Sequence, residues 1–470
     1  MLFPTIQFAV FFVVVLTANW LLLPHRQRWK GFMLGASYVF YGAWDWRFVL
    51  LIVASTLVNQ VAATSMAHTD DPRRRKNAVV VAVAANLGIL GWFKYYGFFA
   101  SSAINLFASV GVEVPLPLLQ ITLPVGISFF TFQALSYVID IYREEQEPAP
   151  LLDFAVYLAF FPQLVAGPIV RSREFLPQLH GHKDPRSVDA TRAFGLIAGG
   201  LFKKVVVANT LATSIVDPVF ASPGQFSSLE VLVAIYGYAV QIYADFSGYT
   251  DIAIGVALLM GFRFPDNFNS PYTAVSIQDF WRRWHMTLSR WLRDYLYIPL
   301  GGNRKGRGAT YRNLFLTMLL GGLWHGAAWT FVVWGAFHGG LLAWERWRGE
   351  TTVARRSVES PLSRAVSRVA TFHLVCLGWV LFRSDSLSQV GEILGRLLDW
   401  GAAPAVTPSV LLLVAGGIGV QYVPAATRAR LQAGFSRLGP VAMTAALGVF
   451  LLILDGFGPE GVAPFIYFQF

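Results

Sequence analysis

The chain has 470 residues, of which 55% are hydrophobic, 15% aromatic and only 14% charged. That charged share is far below the quarter or so usual for soluble domains, and long apolar runs recur, so a water-soluble fold is excluded. The formal charge of +10 does not point to nucleic acid, because the basic residues fall between hydrophobic segments, where they set topology.

Apolar segments run over about 3–23, 31–44, 46–63, 78–100, 121–142, 152–170, 194–215, 229–260, 314–344, 369–382, 409–423 and 438–455. Some are too short or too broken for simple crossings. The expected fold is an all-α polytopic membrane protein with roughly ten to twelve transmembrane or re-entrant elements. No repeat, low-complexity tract or long linker divides it, so 1–470 reads as a single membrane-embedded domain. The first segment has no basic residue before its apolar run. It enters Pro24-His25-Arg26 without a small-residue cleavage site, so it reads as a retained span. The single cysteine, Cys376, leaves no intramolecular disulfide and no cysteine-cluster metal site. It reads as an apolar filler, with a thioester role as the alternative.

Loop charges orient the first spans. Arg26, Arg28 and Lys30 follow span one, Arg73, Arg74, Arg75 and Lys76 follow span three, and 101–120 has no Lys or Arg. The positive-inside rule then puts the N-terminus outside, with 24–30 and 68–77 cytoplasmic. The parity breaks next. Loop 143–150 should be inside, yet Arg171, Arg173, Lys183, Arg186 and Arg192 follow the following run. Pro162, Gly167 and Pro168 interrupt that run, so it is expected to dip in and return on the same side. Non-helical backbone at such depth is tolerated only inside protein or beside a cavity.

Segment 241–251 sets Gln241, Asp245 and Asp251 in apolar surroundings, with Gln241 and Asp245 on one helical face. A buried carboxylate needs a partner or a proton. Asp245 is open to three readings: orienting a catalytic histidine, lining a polar channel, or pairing with an arginine of the next segment.

Residues 276–298 have the pattern of an amphipathic helix. Ser276 and Asp279 fit a capping box. Ile277, Phe280, Trp281, Trp284, Leu288, Trp291, Leu292 and Tyr295 recur at helical spacing, opposite Arg282, Arg283, Arg290 and Arg293. Such a helix is expected at the membrane interface, its arginines toward headgroups or an anionic donor. His285 lies at the edge of the apolar stripe, where packing and an inward functional role both remain open.

The run from Arg312 to Glu345 contains no Lys, Arg, Asp or Glu, yet it holds His325 within Gly321-Gly322-Leu323-Trp324-His325-Gly326-Ala327-Ala328-Trp329. A charged residue at membrane depth costs about 2.5–3.5 kcal/mol on insertion scales, and an ionisable one usually marks a pathway or reaction centre. A catalytic base is one reading, and a neutral histidine bonded to a neighbouring helix is the other. Both flanks of 314–344 are basic, so the segment is expected to enter and return. About thirty helical residues cover roughly 45 Å, short of two crossings of a core about 30 Å thick. The glycines around His325 would supply the bend, with the histidine near the turning depth.

The motifs become specific in combination. Val165-Ala166-Gly167-Pro168-Ile169-Val170-Arg171, Tyr243-Ala244-Asp245-Phe246-Ser247-Gly248-Tyr249-Thr250-Asp251 and Phe264-Pro265-Asp266-Asn267-Phe268-Asn269-Ser270-Pro271-Tyr272 occur in that order. Phe280-Trp281-Arg282-Arg283-Trp284-His285, Tyr295-Leu296-Tyr297-Ile298-Pro299-Leu300-Gly301-Gly302-Asn303-Arg304 and the His325 motif follow. Together they resemble the membrane-bound O-acyltransferase superfamily, in the bacterial branch that includes alginate O-acetylation membrane proteins. The ending Pro464-Phe465-Ile466-Tyr467-Phe468-Gln469-Phe470 resembles this branch too. The motif-bearing core covers about 120–345.

The resemblance implies helices around a central tunnel in the inner membrane, with an acyl donor entering from the cytoplasm and an acceptor from the other side. It implies His325 as the catalytic histidine and His285 as the second motif histidine, with Asp245, Asn267 and Trp324 at surrounding substrate-binding positions. The expected reaction moves an acetyl group from acetyl-CoA or another thioester to a hydroxyl of an exported polysaccharide such as alginate, directly or through an extracytoplasmic acetyltransferase partner. His325 would act as general base, and His285 would orient the donor or donate a hydrogen bond to the oxyanion. No permanent cofactor and no metal is expected. D-alanyl transfer to teichoic acid from a carrier protein is the nearest alternative, and a proton-coupled transporter or flippase is a more distant one.

Overall fold

A computed structural model of the chain describes residues 1, 3–119, 121–349, 360–437 and 440–457, so the closing run Pro464–Phe470 lies outside the described residues. Among those described, every regular element is helical. That is what hydrocarbon demands, because a helix satisfies its own backbone polar groups. The chain is an all-α polytopic membrane protein. Among the described residues, five helices are long and apolar enough to cross a membrane: Arg47–Ala67, Pro72–Ser109, Ala190–Ala221, Ser228–Leu259 and Pro361–Arg383. A pair bent by 98°, Pro408–Tyr422 with Ala426–Phe435, has the make-up of a broken span or a re-entrant loop. The other apolar runs are short, broken or folded back on themselves.

The chain divides into two compact units, Met1–Val188 with Ala257–Phe264, and Asp189–Val256 with Pro265–Phe470. The first unit holds α1 (Ile6–Leu22), α2 (Arg26–Gly42), α3 (Arg47–Ala67), α4 (Pro72–Leu90), α5 (Tyr96–Ala108), α6 (Ile127–Tyr142), α7 (Leu151–Ala159), α8 (Phe161–Leu164) and α9 (Ser172–His180). Asp71 starts α4 by accepting from the Arg73 N–H at 2.9 Å, with Pro72 at the first helical position, where its missing N–H does no harm. Buried Asn86 donates to Asn59 at 2.8 Å, a polar tie between α3 and α4 of the kind that joins helices in lipid.

The chain folds back over residues 153–180, which brings Asp153 against His180. α7 breaks at Phe160 (ψ 108°), and every residue from Asp153 to Ser172 is buried in protein. Asp153 pairs with both Lys30 and His180, the last residue of α9, the latter at 2.9 Å. Arg26 also donates to the His180 carbonyl at 2.8 Å. Asp153, His180 and the basic stretch after span one therefore sit together.

The second unit begins with α10 (Ala190–Leu201), which runs through π-helical turns and α11 (Asn209–Leu211) to α12 (Asp217–Ala221). α13 (Ser228–Leu259) follows, packed on α10 through glycines. A Cβ on Gly200 would collide with the Gly248 carbonyl, and one on Gly255 with that of Ala193. Small residues let the two backbones touch. Next come α14 (Ile277–Trp281), α15 (Met286–Leu292), α16 (Gly306–His325), α17 (Trp329–Trp347) and α18 (Pro361–Arg383).

Candidate active site

The hairpin of α16 and α17 carries His325. α16 ends at His325, extended backbone at Gly326 (φ −155°, ψ 149°) turns the chain, and α17 leads back. Gly322, Gly335 and Gly339 allow the close return. A Cβ on Gly335 would lie 2.9 Å from the Leu319 Cα, and one on Gly339 2.9 Å from the Phe315 Cα. The chain folds back on itself as a helical hairpin, and His325 stands at its turn. The ring is 4% exposed and boxed by aromatic rings: Trp324 at 4.9 Å, Trp334 at 5.2 Å and Phe382 at 5.3 Å between centroids.

Residues 276–298 are not the continuous helix that their periodicity predicts. Ser276 starts α14 by accepting from the Asp279 N–H at 3.0 Å, the expected half of the capping box. The Asp279 carboxylate binds Arg283 at 3.1 Å. Glu345 of α17 accepts the Ile277 and Gln278 N–H groups at 2.7 and 3.0 Å, which caps α14 from outside. The helix then stops after Trp281. His285 adopts left-handed backbone (φ 43°, ψ 53°) before α15 begins, a conformation that costs a non-glycine residue roughly 1–2 kcal/mol.

Asn267 holds that turn. Its carbonyl accepts the Met286 N–H at 2.9 Å. Its side-chain oxygen accepts the Thr287 N–H at 3.1 Å, the Thr287 hydroxyl at 2.9 Å and His285 Nδ1 at 3.1 Å. A backbone N–H can only donate, so the shared Asn267 atom is the oxygen, and His285 Nδ1 carries its proton. In the neutral ring Nε2 is then a hydrogen-bond acceptor. It is buried without a partner among the described residues. Donation to an oxyanion, one role expected of His285, would require the protonated ring.

The second unit brings four of the five sequence-identified positions, Asn267, His285, Trp324 and His325, together. The Trp324 ring lies 6.3 Å from His285 and 4.9 Å from His325, so one indole separates the two imidazoles. Asp245 is buried and paired with Lys204 at 2.5 Å. Its partner is thus a lysine of the preceding segment rather than an arginine of the next one. Phe246, its neighbour in sequence, meets the His285 ring edge-on at 4.7 Å. Cys376 is free and buried in α18.

The same unit holds a cavity of about 870 Å³ lined by Arg282, Arg290, Arg293 and Arg346, with Trp281, Met318 and Leu342 along its apolar wall. Three of the four arginines of the amphipathic stretch therefore face a cavity, while Arg283 pairs with Asp279. Sequence reading missed Lys204 and His338. Both carried a signal: Lys203-Lys204 interrupts an apolar run, and His338 shares the uncharged stretch that singled out His325. Among the described residues, no three His, Cys, Asp or Glu side chains gather as a metal site.

Buried histidines, one of them at the turn of a helical hairpin, share one unit of this multi-pass chain with an arginine-lined cavity. The chain belongs to the membrane-bound O-acyltransferase family, whose pattern it matches over residues 126–382. It is 43% identical over 412 residues to the probable alginate O-acetylase AlgI of Pseudomonas syringae pv. tomato, covering 85% of this chain and 76% of that one. A peptidoglycan O-acetyltransferase of Helicobacter pylori is 38% identical over 392 residues, 78% of this chain and 73% of its own. A teichoic acid D-alanyltransferase of Bacillus subtilis is 30% identical over 281 residues, 55% of this chain and 68% of its own. The protein is an O-acyltransferase of the alginate O-acetylation branch.

Proposed function

We propose that the protein moves an acetyl group from a cytoplasmic thioester, acetyl-CoA, to a hydroxyl of an exported polysaccharide such as alginate, directly or by way of an extracytoplasmic acetyltransferase, from the inner membrane. The observation that carries this reading is the burial of His325 at the turn of a glycine-packed hairpin, in the same unit as an arginine-lined cavity. A thioester carbonyl is electrophilic already, but a sugar hydroxyl is a poor nucleophile until its proton is removed. His325 is the base for that proton, a contribution of about 10²–10⁴ in rate.

The cavity receives the donor. Its arginines suit phosphate oxygens through charge-assisted hydrogen bonds, and its apolar wall suits the thioester arm. His285, fixed by Asn267 with an accepting Nε2, orients a hydroxyl or amide N–H of a substrate. The longer and closer match to O-acetylating relatives than to the D-alanyltransferase favours acetyl as the acyl group.

The test is base-releasable acetate on surface glycans of a deletion strain complemented with wild type or His325→Ala at matched membrane expression. Acetate restored by wild type alone supports the proposal. Equal acetate from the two strains removes His325 from the chemistry.

A further inference from the structure

Neutral His285 offers an acceptor, so the hydrogen bonds that stabilise an oxyanion have to come from elsewhere in the site. Three buried rings, one of them against His325, are suited to give them. His338 of α17 lies 5.3 Å from Trp281 and 4.8 Å from Trp334, and the two indoles lie 5.6 Å apart. Trp334 and His338 are each 1% exposed. Trp281 Nε1, Trp334 Nε1 and His338 Nδ1 are all buried with no hydrogen-bond partner among the described residues. An indole N–H can only donate. Leaving such groups unpaired in a core costs free energy that phenylalanine at the same positions would avoid.

Trp334 Nε1 and the second ring nitrogen of His338, Nε2, approach the same glycine of α18. A methyl group added to Gly378 would sit 2.7 Å from His338 Nε2 and 3.5 Å from Trp334 Nε1. The trio also spans the route that the proposed reaction needs. Trp281 and Leu342, the latter one turn beyond His338 on α17, line the arginine cavity, while Trp334 meets the His325 ring at 5.2 Å.

We infer that Trp334 Nε1–H and the His338 N–H form the carbonyl-polarising subsite of this enzyme, receiving the thioester oxygen of a donor that enters through the cavity. The inference rests on the donor reading above. The acceptor oxygen bonds to the thioester carbon, its proton passes to His325, and the carbonyl electron pair moves onto oxygen, where the two N–H groups bind it. The carbonyl then re-forms and the carbon–sulfur bond breaks. The thiolate leaves with that electron pair and takes the proton from His325.

The test uses the full-length protein in detergent or nanodiscs, with Trp334→Phe, His338→Phe and His338→Gln. Phenylalanine keeps a packing ring and removes the N–H, and glutamine restores an N–H. Two readouts are taken: steady-state turnover of acetyl-CoA, and the infrared carbonyl stretch of bound [1-¹³C]acetyl-CoA without acceptor. The expected result is a kcat lower by about 10²–10³ in both phenylalanine variants with little change in KM, as for loss of one oxyanion donor. The bound carbonyl stretch should lie below its solution value in wild type and rise toward it in both, and His338→Gln should recover part of each effect.

Wild-type kcat in the phenylalanine variants, or a lowered kcat with an unmoved stretch, overturns the subsite. If wild type itself binds and consumes no acetyl-CoA, the donor reading fails and takes the subsite with it. That outcome is distinguishable because no bound carbonyl signal exists at all.

Discussion

The two histidines of the site are held in opposite ways. His325 ends a regular helix, and its position follows from how closely α16 and α17 approach. That approach is a matter of missing side chains at Gly322, Gly335 and Gly339. His285 sits in strained left-handed backbone, and its position follows from a single polar side chain, Asn267, which takes three hydrogen bonds on one oxygen. One histidine is positioned by packing and the other by hydrogen bonding. In lipid both devices work because neither asks water to satisfy the backbone.

Substitutions can separate these two devices. The largest effect is expected for Gly335→Val. Its side chain would meet the Met318 carbonyl and the Leu319 backbone of the facing helix, so the helices must spread, at or above the upper end of the about 1–3 kcal/mol usual for overpacking. Thermal unfolding of the purified protein should show a large fall, with activity lost alongside. Unchanged stability would mean that the hairpin tolerates a wider spacing and that packing does not fix His325.

Next in size is Asn267→Ala. It strands the Thr287 N–H and His285 Nδ1, at about 1–3 kcal/mol for buried donors left unpaired. Turnover is expected to fall further than stability, because the imidazole loses its fixed tautomer as well as its turn. Retained turnover would remove His285 from the reaction. The smallest effect on stability is expected for His285→Asn. Asparagine accepts left-handed backbone more readily than most residues, so the melting temperature should stay near wild type while turnover drops. A drop in both together would make His285 a packing residue.

The same contrast explains what could be read in advance. The hairpin was legible because an uncharged run flanked by two basic loops has few ways to lie in a membrane, and His325 was conspicuous within it. The fold-back over 153–180 was legible for a similar reason, through Pro162, Gly167 and Pro168 and the charge parity around them. The break at His285 was not. The apolar spacing continues across it from Trp281 to Trp291 as though one helix ran through, and only Asn267, distant in sequence, overrides the local helical preference. The arginines were read as one polar face turned to lipid headgroups or an anionic donor, because spacing reports which residues share a face and not what lies opposite it. Lys204 and His338 were legible by the rule applied to His325, that a polar group in an apolar run needs a reason, had the rule been applied to every such residue.

The central claim is that a buried histidine at a hairpin turn drives acyl transfer from a thioester. The most direct measurement is acetyl-CoA consumption by the protein reconstituted in vesicles with its cavity side accessible, together with an acetylatable glycan and, where needed, the extracytoplasmic acetyltransferase. Wild type is compared with His325→Gln, which keeps a polar side chain but cannot act as a base. The account predicts consumption by wild type and a loss of at least about 10²-fold in the variant at unchanged melting temperature. Equal consumption by the two proteins would contradict it.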